Sequence, residues 1–199
     1  MDLGAGGGLP GLPVAVWNST LEVVLLDTSA KRTAFLQWAV AELGIGDRVT
    51  VVEGRAEEFA HSPERGRFDL AIARGFASPG ITMECAAPLL APDGRLLVAG
   101  PPGGRRWNDA ELAALGLEAL ASVHGREGHG REGEDRGSDG SGDDAEVSNG
   151  EPASEGSTVA VVEVLRRIGQ LDDRIPRPWR QLSKRPRPVE QSGESSAGT

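Results

Sequence analysis

One cysteine, Cys85, stands in a chain of 199 residues, so it has no partner within the chain and no disulfide framework underlies the fold. Aromatic residues make up only 4% and all hydrophobic residues 38%, low enough that part of the chain is expected to lie outside any core. No apolar run approaches the roughly 18 residues needed to cross a bilayer, and no h-region of a secretory signal is present. A cytoplasmic protein with no membrane partner is therefore expected. Histidine is also scarce, and His124 and His129 have neither cysteines nor a second histidine at helical spacing, so no metal site is expected. No lysine precedes Lys31, which removes a phosphate-binding Gly-Lys-Ser/Thr loop from the first thirty residues.

Basic residues are outnumbered, 21 Lys and Arg against 30 Asp and Glu, for a formal charge of −9. Taken as a sum this argues against nucleic acid, but the distribution matters more. Residues 125–157 hold ten Asp/Glu, three Arg and nine glycines, and so carry seven of the nine net negative charges. With only Ala145, Val147 and Ala153 as apolar side chains, that stretch is expected to be a disordered acidic insert. Residues 166–188 reverse the sign, with eight Lys/Arg against two Asp, and include Pro176-Arg177-Pro178-Trp179-Arg180 and Lys184-Arg185-Pro186-Arg187. Two readings stand for this tail: phosphate contact with counterion release, or a solvated polycation. Residues 191–199 read as disordered. The length fits one domain, placed at 1–124 and 158–166, with the insert at 125–157 and a basic tail at 167–199.

The chain opens on Met1-Asp2-Leu3-Gly4-Ala5-Gly6-Gly7-Gly8-Leu9-Pro10-Gly11, a short apolar start, a glycine turn and then a helix. Gly4, Gly6 and Gly8 alternate behind Asp2, which lets the backbone pass through positive φ and approach a ligand closely. A dinucleotide fingerprint counted from Gly4 requires glycine where Leu9 stands. What remains is D-x-G-x-G-x-G, the loop that wraps the methionine end of S-adenosyl-L-methionine, or else a flexible glycine-rich terminus.

Elements then alternate. Residues 21–26 read as a buried parallel strand ending at Asp27, about twenty residues past the glycines. At that spacing in a doubly wound fold an acidic side chain accepts from ribose hydroxyls; the alternative is a helix cap, for which Thr28 and Ser29 compete. Residues 29–43 form a helix with Phe35, Leu36, Ala39, Val40 and Leu43 on one apolar face. A third strand covers 49–52, and the turn after it sets Ala56 and Glu57 beside an adenine, or simply starts a solvated helix rich in carboxylates. A fourth strand covers 68–73, followed by Arg74-Gly75-Phe76-Ala77 where open α/β sheets keep their sites. Arg74 either contacts substrate or is structural. Ser78 and Pro79 start a helix running to about residue 90, residues 91–94 turn, 95–99 form a fifth strand, and residues 101–104 leave it as a loop. Asn108 caps a short helix, and strands at 117–123 and 158–165 make a hairpin with the acidic stretch at its tip. The fold class is thus α/β, a mostly parallel doubly wound sheet with a C-terminal antiparallel hairpin.

In several separate motifs, in order, the sequence resembles the RsmG (GidB) family of methyltransferases. Asp2 to Pro13 is similar to the family's glycine loop with its Leu-Pro-Gly-x-Pro continuation. Leu25-Leu26-Asp27-Thr28 with Lys31-Arg32 and Phe35-Leu36 looks like its second strand and helix, Arg55-Ala56-Glu57 like its Arg-Ala-Glu, and Ala73-Arg74-Gly75-Phe76-Ala77 like its Ala-Arg-Ala-hydrophobic-Ala. Pro176-Arg177 and Lys184-Arg185-Pro186 retain the spacing of its basic C-terminal motif. The resemblance covers roughly residues 1–123 and 158–187.

That resemblance implies a Rossmann-like class I fold dependent on S-adenosyl-L-methionine, acting on N7 of a guanine in 16S ribosomal RNA or the small ribosomal subunit; a monomer is expected. It implies cofactor contacts at Gly4, Leu9, Ala56, Glu57 and Arg74, to which the strand-end argument adds Asp27. Attack by an unprotonated N7 needs no general base, so no catalytic residue is nominated. Four departures accompany the match: a start at Met1-Asp2 where the family has a helical segment and a full first strand, which implies amino-terminal truncation; Ala99-Gly100 in place of Lys-Gly; Trp179-Arg180 where the family has glycine; and the acidic insert. The rival expectations are methyl transfer to another substrate and a truncated homologue without function.

Overall fold

A computed structural model describes residues 1–100, 107–125 and 160–183. The parts of the acidic insert at 126–157, the loop at 101–104, and the segments at 184–187 and 191–199 lie outside the described residues.

Among the described residues, seven strands form one sheet in the order β3-β2-β1-β4-β5-β7-β6. β1 (Asp2–Leu3), β2 (Val23–Asp27), β3 (Val49–Glu53), β4 (Phe68–Arg74) and β5 (Leu90–Gly100) run parallel, while β7 (Ala160–Arg167) pairs antiparallel with both β5 and β6 (Leu117–Gly125). The terminal hairpin therefore folds inward: its second strand, not its first, joins the parallel part. β1 has only two residues but sits in the middle, with Leu3 opposite Leu26 on one side and Ala73 on the other.

Helices cover both faces, and the pleat decides which residues serve each. Leu25 packs with Leu12, Ala15, Leu36, Ala39 and Val40, the inner sides of α1 (Gly11–Trp17) and α2 (Ala30–Glu42). Its neighbour Leu26 points the other way, into a second core with Ala56, Met83, Leu89 and Leu96, fed by α3 (Ala56–Phe59) and α4 (Pro79–Ala86). Leu112 of α5 (Asp109–Ala114) belongs to the same core. A continuous apolar strand such as Val23-Val24-Leu25-Leu26 follows from burial on both faces.

Local differences from the periodicity have physical causes. On α2, Phe35 and Leu43 are exposed; the buried positions are Thr33, Leu36, Ala39 and Val40, and Phe35 lies against Trp38 with ring centroids 5.8 Å apart. α4 ends at Ala86 and passes into a 3₁₀ turn at Ala87–Leu89, because Pro88 has no N–H for another α-helical bond. The turn expected at 91–94 is instead an irregularity inside one long β5: Asp93 takes φ +62° and the register with β4 shifts between Phe68 and Leu70. The Asn108 cap is as expected, its side-chain oxygen accepting from the N–H of Ala110 at 2.9 Å and of Glu111 at 3.3 Å. The described residues include no helix long and apolar enough to cross a membrane and no cluster of groups that could hold a metal ion.

Candidate functional site

The glycine turn leaves the carboxyl end of β1 and hangs on β2. The N–H groups of Gly4 and Ala5 both donate to the carbonyl of Leu26 at 2.9 Å, and Gly6 N–H donates to Asp27 Oδ2 at 2.9 Å. Gly4, Gly6 and Gly8 take φ of +69°, +57° and +89°. At Gly8 a side chain has no room, since a Cβ would lie 2.4 Å from Leu12 Cδ1. The turn's far end is fixed by Asp2, whose Oδ2 accepts from Gly11 N–H at 2.9 Å. Burial raises the Asp2 pKa above the ordinary carboxylate value, against the Gly11 hydrogen bond, the nearby amino terminus and Arg74, which act to lower it.

Asp27 is 3% exposed and holds two segments at once. Its Oδ2 takes the Gly6 N–H and its Oδ1 accepts from Ser29 N–H at 2.9 Å, while the Arg32 guanidinium lies 3.6 Å from Oδ2. The carboxylate that binds the start of α2 thus also holds the glycine turn. Ser29 is the N-cap of α2 by position but makes no side-chain capping bond; the Asp27 carboxylate binds its backbone N–H.

These groups border a cleft of about 230 Å³ at the carboxyl ends of the first four strands. Gly4, Asp27, Ala56 and Glu57, four of the six residues nominated from the sequence, line it together. Leu9 is exposed and does not line it; Arg74 does not either, although Gly75, Phe76 and Ala77, the three residues that follow it, do. A Cβ at Gly4 would come within 2.8 Å of Phe76 Cδ2, so the narrow approach between the two walls depends on that glycine. The Glu57 carboxylate is nearly buried and ion-paired with Arg55. A larger cavity lies elsewhere: about 650 Å³ at the opposite, amino ends of the strands, beside Met1, Val23 and Phe68. Nothing in its lining matches the strand-end chemistry, and the smaller cleft has the position that α/β sheets use.

Trp179 also lines the cleft and was not nominated from the sequence. It comes from α6 (Trp179–Leu182) in the C-terminal arm, which folds back across the sheet's end. The arm is clasped by Glu84, which accepts from Arg177 N–H at 2.8 Å, Nε at 2.8 Å and Nη2 at 2.7 Å. Burial would raise the Glu84 pKa, but the Arg177 hydrogen bonds more than reverse this and hold it below the ordinary value. His61 Nε2 lies 2.9 Å from Pro176 O, and Arg65 Nη1 donates to Ile175 O at 2.7 Å. A lone aromatic in a basic, proline-rich stretch was the available signal. Cys85 is buried, and burial pushes its thiol up to about 12, so it offers no thiolate.

A sequence profile described as rRNA small subunit methyltransferase G matches residues 1–101. Among curated relatives, the ribosomal RNA small subunit methyltransferase G of Parasynechococcus marenigrum (strain WH8102) is 42% identical over 117 residues, 58% of this chain and 45% of the relative. That of Mycobacterium leprae (strain TN) is 43% identical over 97 residues, 49% of this chain and 39% of the relative. The chain thus spans less than half the length of these relatives. Among solved structures, P. horikoshii TYW2 in complex with MeSAdo superposes with a TM-score of 0.54 at 15% identity, covering 83% of this chain and 55% of that one. The StiE O-MT fragment 961–1257 gives a TM-score of 0.55 at 12% identity, covering 87% and 68%. At such identities the likeness establishes the fold, a Rossmann-like α/β sheet of the methyltransferase type.

Proposed function

The chain belongs to the rRNA small subunit methyltransferase G family, and from that premise we propose that it transfers a methyl group from S-adenosyl-L-methionine to N7 of a specific guanine in 16S ribosomal RNA. The observation that carries the reading is convergence: the glycine turn, the end of β2, the start of α3 and the 75–77 segment come from distant parts of the chain and border one cleft. Gly4 would face the methionine end. The Asp27 carboxylate would take the ribose hydroxyls, since each of its oxygens keeps acceptor capacity beyond the single backbone bond it makes. The Ala56 and Glu57 turn would border the purine. The cradle fits such a ligand because a Cβ at Gly4 would close it against Phe76 and because its acceptors stand among apolar walls. Leu9 and Arg74 would contact the ligand or the RNA from beyond this cleft.

The cofactor, once bound, supplies an electrophilic methyl on a sulfonium. The chain's share is positional: rigid strand ends hold the donor while an unstacked guanine approaches, and such orientation accounts for roughly 7–11 kcal/mol of a barrier. Guanine N7 carries its lone pair without losing a proton, so no side chain must act as base. Methylation leaves the purine cationic, and carbonyls or carboxylates near the strand ends stabilise that charge as it develops.

Mapping 7-methylguanosine by mass spectrometry in 16S rRNA from cells with and without the gene tests the substrate. Loss of one methylated guanine on deletion is expected. Unchanged rRNA, with S-adenosylhomocysteine still bound by the purified chain, rejects this substrate and leaves a methyltransferase of another target.

A further inference from the structure

We propose that Trp179, delivered by the C-terminal arm, is the stacking wall for the purine of the bound nucleoside, so that the arm belongs to the cofactor site. The inference rests on the cofactor reading above, and it assigns a contact to a residue that the amino-terminal motifs do not include.

Three observations support it. The first is position. Trp179 lines the same cleft as Gly4, Asp27, Ala56 and Glu57, and it lies against Arg55 and shares a second lining with Arg55 and Glu57, beside which the purine would lie. The second is the ring's surroundings. Arg55 Cζ sits 4.7 Å from the indole centroid, which orients the ring by a cation–π contact and occupies one face, leaving the other for a second planar group. The ring is 41% exposed, so part of its surface is open to a second planar group. The third is the tether. Glu84 grips both the backbone and the guanidinium of Arg177 only two residues earlier, and His61 lies against Pro176 O, so the arm is held from both sides just before the ring. Such anchoring fixes a ring in advance, which is what an ordered stacking face requires.

The same ring borders a second cavity of about 420 Å³ with His61, Pro176 and Arg180. Trp179 is therefore a partition between two spaces, and the proposal commits to the side that contains Asp27 and Ala56. Because the C-terminal segment supplies the wall, cofactor affinity would depend on residues more than a hundred positions from the glycine turn.

Titration calorimetry of the full chain with S-adenosylhomocysteine and, separately, with adenosine tests this. Trp179→Ala is expected to weaken both ligands by about tenfold or more, the scale of one lost base-stacking contact, and by the same factor for each. Trp179→Phe should recover most of the loss. Glu84→Gln, which loosens the tether and leaves the ring intact, should weaken both ligands less. Indole fluorescence should be quenched by ligand in the unsubstituted chain and in Trp38→Phe, but much less in Trp179→Phe. Unchanged affinity in Trp179→Ala, or a loss for S-adenosylhomocysteine without a matching loss for adenosine, overturns the inference and leaves the proposed function standing. Failure of the unsubstituted chain to bind S-adenosylhomocysteine removes the proposed function, and this inference with it.

Discussion

Replacing Gly8 by alanine isolates the physical demand at the head of the site. Gly8 takes φ +89°, and a Cβ there would stand 2.4 Å from Leu12 Cδ1, 2.8 Å from Leu12 Cγ and 3.1 Å from Leu36 Cδ2. Leu12 and Leu36 are both buried in the core under α1 and α2, so the leucine cannot swing into solvent to make room. Left-handed backbone costs an L-residue about 1–2 kcal/mol, and overpacking a filled core adds about 1–3 kcal/mol. The expected loss is about 2–5 kcal/mol, against a total stability of about 5–15 kcal/mol for an ordinary domain. Gly7, one residue earlier, is the internal control: it has no atom within 4 Å of a would-be Cβ and no positive φ. Gly7→Ala should be neutral or gain up to about 1 kcal/mol by restricting the unfolded chain. Urea unfolding followed by far-ultraviolet circular dichroism measures both. Equal midpoints for the two variants would refute the packing account. So would Gly8→Ala lying within about 0.5 kcal/mol of the parent, since that is the scatter of an ordinary surface change.

Glu84→Gln should change how stability depends on pH. The folded pKa of Glu84 lies below its unfolded value, so the stabilisation it gives is present above the unfolded pKa of about 4.5 and is lost as pH falls through the lower, folded value. The variant should therefore lose about 1–2 kcal/mol at pH 7, with Arg177 half-exposed and the charged bonds discounted for it, and show a shallower decline in acid. Parallel stability curves for parent and variant between pH 6 and the acid limit would contradict this. Leu3→Ala removes a side chain with no exposed surface from the strand between β2 and β4, and chemical denaturation should register a cost of about 2–5 kcal/mol. A cost below about 1 kcal/mol would mean that the two-residue β1 is not the packed centre of the sheet.

Much of this was legible because it is encoded locally. A strand buried on both faces must be apolar throughout, so Val23 to Leu26 announces itself; the end of such a strand, followed by helix, fixes where Asp27 emerges. Asn108 satisfies donors two and three residues away, which a sequence shows directly. Helix faces were less legible: Phe35 belongs to the apolar pattern of α2, yet it lies against Trp38 on the surface while Thr33, bonding Ser29 O at 3.2 Å and Ala30 O at 3.1 Å, is buried instead. A threonine hydroxyl that answers its own helix can occupy a core position that a hydropathy count assigns to a phenylalanine. Trp179 was illegible for a different reason. Its placement follows from contacts spanning 93 residues to Glu84 and 115 from His61 to Pro176, and no periodicity in the chain reports a pairing of that range.

The same long-range pairing changes what the basic charge of the C-terminal segment means. Counted along the sequence, its arginines suggest a surface for phosphate, whose affinity would come from released counterions. Within the described residues four of the segment's five arginines have other partners: Arg166 pairs with Glu118 across the hairpin, Arg167 donates to the carbonyl of Leu90, Arg174 to Asp172, and Arg177 to Glu84, while Arg180 is exposed beside the cavity that His61 and Pro176 line. An arginine already chelated by a carboxylate has little charge to offer a phosphate, because binding the anion would have to break a charge-assisted pair first. Arg177 is therefore spent on fixing the arm to α4 through Glu84, beside the cleft that Trp179 lines. If RNA is bound by basic residues here, the salt dependence of that binding should change little when Arg174 or Arg177 is replaced, while replacing Arg177 should weaken the cofactor through the displaced ring.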